Sequence, residues 1–146
     1  MIVSNYKLNP WKIIEHGWDP NKIMESESIF SIGNGTMGQR ANFEEDFSGK
    51  TLQGSYIAGV YYPDKTKVGW WKNGYPEYFA KVVNAPSWIG ISILIDGIPV
   101  DFNKVYKIET FERILDMKNG LYERSINFKT NEYVNVEISS RRFLSM

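Results

Sequence analysis

Residues 25–46, ESESIFSIGNGTMGQRANFEED, gather three glycines, an arginine and a run of acids between apolar positions, a combination found nowhere else in the chain. Within it, Gly33-Asn34-Gly35-Thr36-Met37-Gly38 satisfies G-x-G-x-x-G, the spacing of a dinucleotide fingerprint. That fingerprint works when a strand delivers the chain to a helix N-terminus, whose free N–H groups meet a pyrophosphate. No helix period follows here: residues 39–54, QRANFEEDFSGKTLQG, lack apolar residues at i, i+3, i+4 and i+7 and carry a Ser48-Gly49 turn signal. The glycines therefore read as positions of positive φ or close backbone approach between two short strands, Ser28–Ile32 and Met37–Ala41. Arg40 with Glu44 or Glu45 reads as an ion pair locking that segment, worth little unless buried.

Outward from this stretch, composition sets bounds. A chain of 146 residues with 42% hydrophobic content is one domain's worth and can bury a core. Seventeen basic and seventeen acidic side chains cancel without any block of like sign, which points away from nucleic acid and anionic membrane as partners. With no cysteine there is no disulfide, thiolate metal site or cysteine nucleophile. His16, the sole histidine, has no second ligand near it in sequence and reads as structural, so no metal site is expected. Neither a signal pattern nor a long apolar run is present, and a soluble, cytoplasmic protein is the expectation.

The remainder reads as sheet. Residues 1–24 form an irregular N-terminal arm packed by Trp11 and Trp18, and Ser55–Tyr62 a strand. A long connection follows, PDKTKVGWWKNGYPEYFAKVVNAPSW, in which Trp70, Trp71 and Tyr75 crowd around turn residues. Loops of this length tend to bind something or cover a neighbour, and rings flanked by polar groups suit a sugar face, so these three are the candidate carbohydrate-binding residues; packing onto a sheet or neighbouring domain is the alternative. Ile89, Ile91, Ile93 and Ile95 recur at the strand period before an Asp96-Gly97 turn. Val105–Asp116 is a second β run whose apolar phase slips between Ile108 and Phe111, as at a bulge. Asn119-Gly120 and Thr130-Asn131 then join further alternating runs. The expectation is one all-β domain over 1–146, an antiparallel β-sandwich. Because the final SRRFLSM is still in strand rhythm, the chain also reads as an incomplete N-terminal portion of a longer polypeptide, with an open sheet edge favouring self-association.

Catalytic constellations are scarce. A glycosidase-type acid pair faces its partner across roughly 5 to 10 Å. Glu44, Glu45 and Asp46 are consecutive and on a strand would alternate between faces. No catalytic residue is assigned.

ESIFSIGNGTMGQRANFEE, then Gly59-Val60-Tyr61-Tyr62, VVNAPSWIGISILIDG, Arg113-Ile114-Leu115-Asp116-Met117, Gly120-Leu121-Tyr122-Glu123-Arg124 and Ser140-Arg141-Arg142-Phe143-Leu144-Ser145 together resemble the N-terminal domain of glycoside hydrolase family 65. The resemblance spans nearly the whole chain from about residue 25 and makes Gly33, Asn34, Gly35, Gly38, Arg40 and Glu44 its structural motif. It implies a super-sandwich domain preceding an (α/α)6 barrel. In that barrel a glutamic acid protonates the leaving oxygen while inorganic phosphate, the co-substrate, attacks an α-glucoside such as maltose, trehalose or kojibiose with inversion. Both the acid and the phosphate site would lie outside this chain, which needs no cofactor. Expected partners are the helical barrel, a second subunit in a homodimer and a disaccharide; family hydrolases and a free-standing carbohydrate-binding sandwich remain alternatives.

Overall fold

A computed structural model describes residues 6–66 and 76–145. In chain order they form β1 (Tyr6–Asn9), β2 (Lys12–His16), α1 (Ile23–Ile29), β3 (Ile32–Gly33), β4 (Met37–Gln39), β5 (Ser55–Ile57), β6 (Tyr61–Lys65), β7 (Tyr78–Val82), β8 (Leu94–Ile95), β9 (Ile98–Pro99), β10 (Lys107–Asp116), β11 (Leu121–Lys129) and β12 (Asn135–Phe143). The principal sheet is five-stranded, in the order β1-β2-β10-β11-β12, and every strand pair in it is antiparallel.

Alternation builds this sheet and decides which face is covered. Along β11, Tyr122, Arg124, Ile126 and Phe128 are buried while Leu121, Glu123, Ser125, Asn127 and Lys129 are only half-buried. Beneath the inner face, Phe43, Val100, Phe102 and Ile23 of the covering layer meet Phe111, Ile126 and Phe128 in one apolar cluster. A second joins Phe30 and Ala41 to Leu115 and Tyr122. Burying one such aromatic contributes about 1.5–3 kcal/mol. The covering layer is made of small pieces: the β3-β4-β5 sheet, the β8-β9 hairpin and α1. An antiparallel β-sandwich is thus the observed fold.

Turn chemistry accounts for the connections. Asp96 and Gly97 both have positive φ, 51° and 77°, as the tight β8–β9 turn demands. Between β10 and β11, Gly120 takes φ 62° and the Asp116 carboxylate accepts hydrogen bonds from the backbone N–H and side-chain amide of Asn119. The expected bulge lies between Ile108 and Thr110.

Several expectations need correction, among them the Ser55–Tyr62 strand, which is split into β5 and β6 around Gly59 at φ 79°. The irregular arm over 1–24 contains the β1–β2 hairpin, which pairs through β2 with β10, because Ile13 and Ile14 alternate into register with Leu115 and Ile114. Ser28 belongs to α1 rather than to a strand, and the helix holds its place by burying Ile23, Ser26 and Glu27 on one side. Ile89 and Ile91 lie outside any strand; only Leu94–Ile95 pairs there, with Ile93 and Ile95 packed on the core.

Candidate functional site

The acids that follow the glycine segment are engaged, but not by Arg40. Residues 40–45 run outside any strand, so the side chains of Glu44 and Glu45 are not forced to opposite faces. Both converge on Arg124: its Nη2 donates to Glu45 Oε1 and Oε2 at 2.7 and 2.8 Å and lies 3.2 Å from Glu44 Oε2. Arg142, on β12, donates through Nε to Glu44, through Nη1 to the Arg40 carbonyl at 3.1 Å and through Nη2 to the Asn42 carbonyl. Arg40 itself turns away, with Nη1 donating to Ser28 Oγ at 2.6 Å and Nε to Tyr56 Oη at 3.3 Å. The expected Arg40 ion pair therefore gives way to partners remote in sequence.

Arg113 completes a charged layer inside the sandwich. It is fully buried, 3.7 Å from Glu15, and its guanidinium stacks between the rings of Phe43 and Phe111 at 5.0 and 4.9 Å. Arg124 stacks in turn on Phe43 and Phe102, so rings and guanidiniums alternate through the core. Burial pushes the Glu44 carboxyl up, but the Arg142 hydrogen bond and the nearby arginine charges outweigh it and hold Glu44 below the usual carboxylate range. At Glu15 burial wins: despite a 2.5 Å hydrogen bond from Ser26 and the Arg113 charge, its carboxyl is raised. Glu44 and Glu45 are held by fixed arginines and Glu15 by the Ser26 hydroxyl, so none of the three stands as an open proton-transfer pair.

Above this layer sits the glycine segment, folded as the β3–β4 hairpin. Gly35 has φ 89°, and a Cβ on Gly33 would stand 3.3 Å from the Met37 carbonyl oxygen, so two of the glycines have the conformational roles expected. Asn34 organises the turn: its Oδ1 accepts from Thr36 N, Thr36 Oγ1 and Met37 N, at 3.0, 2.9 and 2.8 Å. Its Nδ2 donates to the Ser145 carbonyl at 2.5 Å. Gly38 passes beside Tyr56 on β5. The residues after β12 and Arg142 within it thus hold the segment from both ends.

Beside the hairpin runs a groove of about 370 Å³, lined on one wall by Met37, Tyr56 and Ile57 and on the other by Tyr61, Ala80 and Val82. The second wall is one face of the β6–β7 ribbon, where Tyr61 pairs with Val82 and Pro63 with Ala80. Tyr61, Tyr62, Tyr78 and Phe79 are all exposed, so the ribbon presents rings to its surroundings. Trp70, Trp71 and Tyr75, between β6 and β7 in sequence, lie outside the described residues. Among the described residues no group of three or more His, Cys, Asp or Glu is placed to hold a metal ion, and His16 is instead 3.0 Å from Glu112. No described helix is long and apolar enough to cross a membrane.

Sequence reasoning missed the roles of Arg113, Arg124 and Arg142. A signal was present: each arginine occupies the apolar phase of its strand, Arg113 between Phe111 and Leu115 and Arg124 between Tyr122 and Ile126.

Comparison with known proteins gives this scaffold its relatives. Residues 13–146 match the model of "Glycosyl hydrolase family 65, N-terminal domain". The maltose phosphorylase of Bacillus subtilis (strain 168) is 47% identical over 141 residues, covering 97% of this chain and 18% of that protein. The kojibiose phosphorylase of Thermoanaerobacter brockii is 31% identical over 135 residues, 92% of this chain and 16% of its own length. A solved structure described as a putative kojibiose phosphorylase from human microbiome superposes with TM-score 0.76 at 37% identity, over 93% of this chain and 18% of that one. The chain thus spans less than a fifth of the length of these relatives. On fold and family match together, the chain belongs to glycosyl hydrolase family 65, and the part of that family it represents is the N-terminal domain.

Proposed function

We propose that the chain is the non-catalytic N-terminal portion of an α-glucoside phosphorylase, whose work is to support a catalytic domain, to rim its substrate site and to take part in subunit pairing. The observation that carries this reading is the extent of likeness to the Bacillus subtilis maltose phosphorylase, over nearly all of this chain and under a fifth of that protein. The engagement of Glu44 and Glu45 by buried arginines agrees with it, since those carboxylates lie inside the sandwich. Chemistry would then reside in the remaining polypeptide, with inorganic phosphate as co-substrate taking the part that a base-activated water plays in an inverting hydrolase.

A chimera tests the supporting role: this chain replaces the matching segment of the Bacillus subtilis enzyme. Maltose phosphorolysis within about tenfold of the parent is expected, a loss of no more than about 1.4 kcal/mol in transition-state stabilisation. A folded chimera without turnover would overturn it.

A second reading is favoured by the exposed rings of the β6–β7 ribbon, Tyr61, Tyr62, Tyr78 and Phe79. They continue the aromatic character of Trp70, Trp71 and Tyr75 and would make the ribbon a sugar-contacting surface in its own right. Titrating maltose, kojibiose and trehalose against tryptophan fluorescence checks this, with saturable quenching expected. A flat response to all three removes it.

A further inference from the structure

Four side chains stand in a row on the inner face of the principal sheet. Tyr6, Glu15, Arg113 and Arg124 are successive register partners across β1, β2, β10 and β11, and the last three are buried. Arg124 is occupied by Glu44 and Glu45. Arg113 is held differently. None of its three guanidinium nitrogens has a hydrogen-bond partner among the described residues, and neither has Glu15 Oε2, which lies 3.7 Å from Arg113 Nη1. Buried ionic groups ordinarily have their partners in contact, yet this donor and acceptor face each other across a gap about 1 Å too wide for a charge-assisted hydrogen bond.

The other oxygen of Glu15 is taken. Oε1 accepts from Ser26 Oγ of α1 at 2.5 Å, and Tyr6 Oη is 3.2 Å from the same Ser26 oxygen. Burial pushes the Tyr6 phenol up, so it stays neutral, and a guanidinium keeps its charge at any working pH. The other charges acting on Glu15 are half-buried Lys22, just before α1, and exposed Glu25 in its first turn, which are opposite in sign. Glu15 is therefore the buried member of the cluster whose charge varies.

We propose that Glu15 and Arg113 form a proton-operated clasp inside the sandwich. With Glu15 protonated, the Arg113 guanidinium rests on the rings of Phe43 and Phe111; with Glu15 ionised, it closes on Oε2, so that one carboxylate ties both α1 and β10 to β2. The carboxyl proton leaves to solvent. Closing returns, as ion-pair attraction, part of what burying the Glu15 charge costs. Because burial raises the Glu15 carboxyl, the open form persists above the ordinary carboxylate range, and the clasp closes as pH rises through the folded value.

NMR of the purified chain tests the clasp by following two groups in one titration. Carboxyl-carbon resonances give the Glu15 midpoint, assigned by its disappearance in Glu15→Gln, and side-chain nitrogen resonances report on Arg113. The Arg113 signals are expected to shift with the Glu15 midpoint, and exchange of its N–H protons to slow about tenfold or more above it, as a new hydrogen bond between charged groups implies. In Glu15→Gln, which has no proton to lose there, the Arg113 signals should not respond to pH. Arg113→Met should raise the Glu15 midpoint by about one to three pH units, since the attraction that favours ionisation is gone. Ser26→Ala should also raise the midpoint, with the Arg113 response following it. Far-UV circular dichroism checks that each variant is folded. Arg113 signals indifferent to the Glu15 titration, the same response retained in Glu15→Gln, or an unmoved midpoint in folded Arg113→Met would each overturn the clasp.

Discussion

Arg124 grips Glu45 with one nitrogen, Nη2, at 2.7 and 2.8 Å from its two carboxylate oxygens, although the residues are 79 positions apart. The pair fastens the segment after the glycine hairpin to the middle strand of β10, β11 and β12, with both side chains out of water. Removing Arg124 strands the Glu45 charge in the core, which costs about 3–5 kcal/mol in buried pairs, whereas removing Glu45 leaves Arg124 with Glu44 at 3.2 Å. Arg124→Met should therefore destabilise by that order in urea unfolding, and Glu45→Gln by less. The double variant should cost less than the two single costs added, since the Glu45 charge that Arg124→Met strands is then absent. Additive costs would mean that the two residues act independently.

Acid should weaken the fold through Glu44. Its carboxyl is held below the usual range in the folded chain, so its contribution is present above the unfolded value of about 4.3 and is lost as pH falls through the folded value. Glu44→Gln should flatten the acid side of the stability profile by about one proton while lowering stability near neutrality. Glu15 has the opposite sign: its raised carboxyl gives a contribution present at low pH and lost as pH rises through the folded value. Glu15→Gln should therefore remove a decline of stability on the rising side. Unfolding midpoints measured across the pH range read both trends, and an unchanged profile in either variant counts against the corresponding assignment.

Gly35→Ala should cost about 1–2 kcal/mol although a Cβ there meets no atom within 4 Å, because the penalty lies in φ 89° rather than in space. Thermal unfolding measures it. A neutral result would show that the hairpin turn relaxes to another conformation.

Asn34→Ala should loosen two places at once. Its amide closes the β3–β4 turn and also reaches the Ser145 carbonyl, so hydrogen exchange is expected to quicken at Thr36 and Met37. Unchanged exchange there would show that the turn does not depend on this side chain.

How far the sequence revealed this arrangement depended on the range of the interactions. Strand alternation in residues 121–129, the bulge after Ile108 and the Asp96-Gly97 and Asn119-Gly120 turns are local and were legible, as was the conformational role of the glycines. The β1–β2 hairpin was obscured because Trp11, His16 and two prolines give residues 1–24 the composition of a loop, while its pairing is set by β10, about a hundred residues later. Arg40 looked like the partner of Glu44 by proximity in sequence. Arg142 and Arg124 won because the sheet brings them underneath that segment, a tertiary fact that no local pattern encodes. The family motif was readable as a series of peptides, yet the reason for its arginines and acids emerged only when their strands were placed side by side.

The central claim is that this chain scaffolds chemistry carried out elsewhere in a longer polypeptide. Purified chain incubated with maltose, with and without inorganic phosphate, and assayed for glucose and glucose 1-phosphate, tests it most directly. Neither product above the protein-free blank is expected. Phosphate-dependent release of both, in equal amounts and with turnover, would show that the 146 residues hold a catalytic centre of their own.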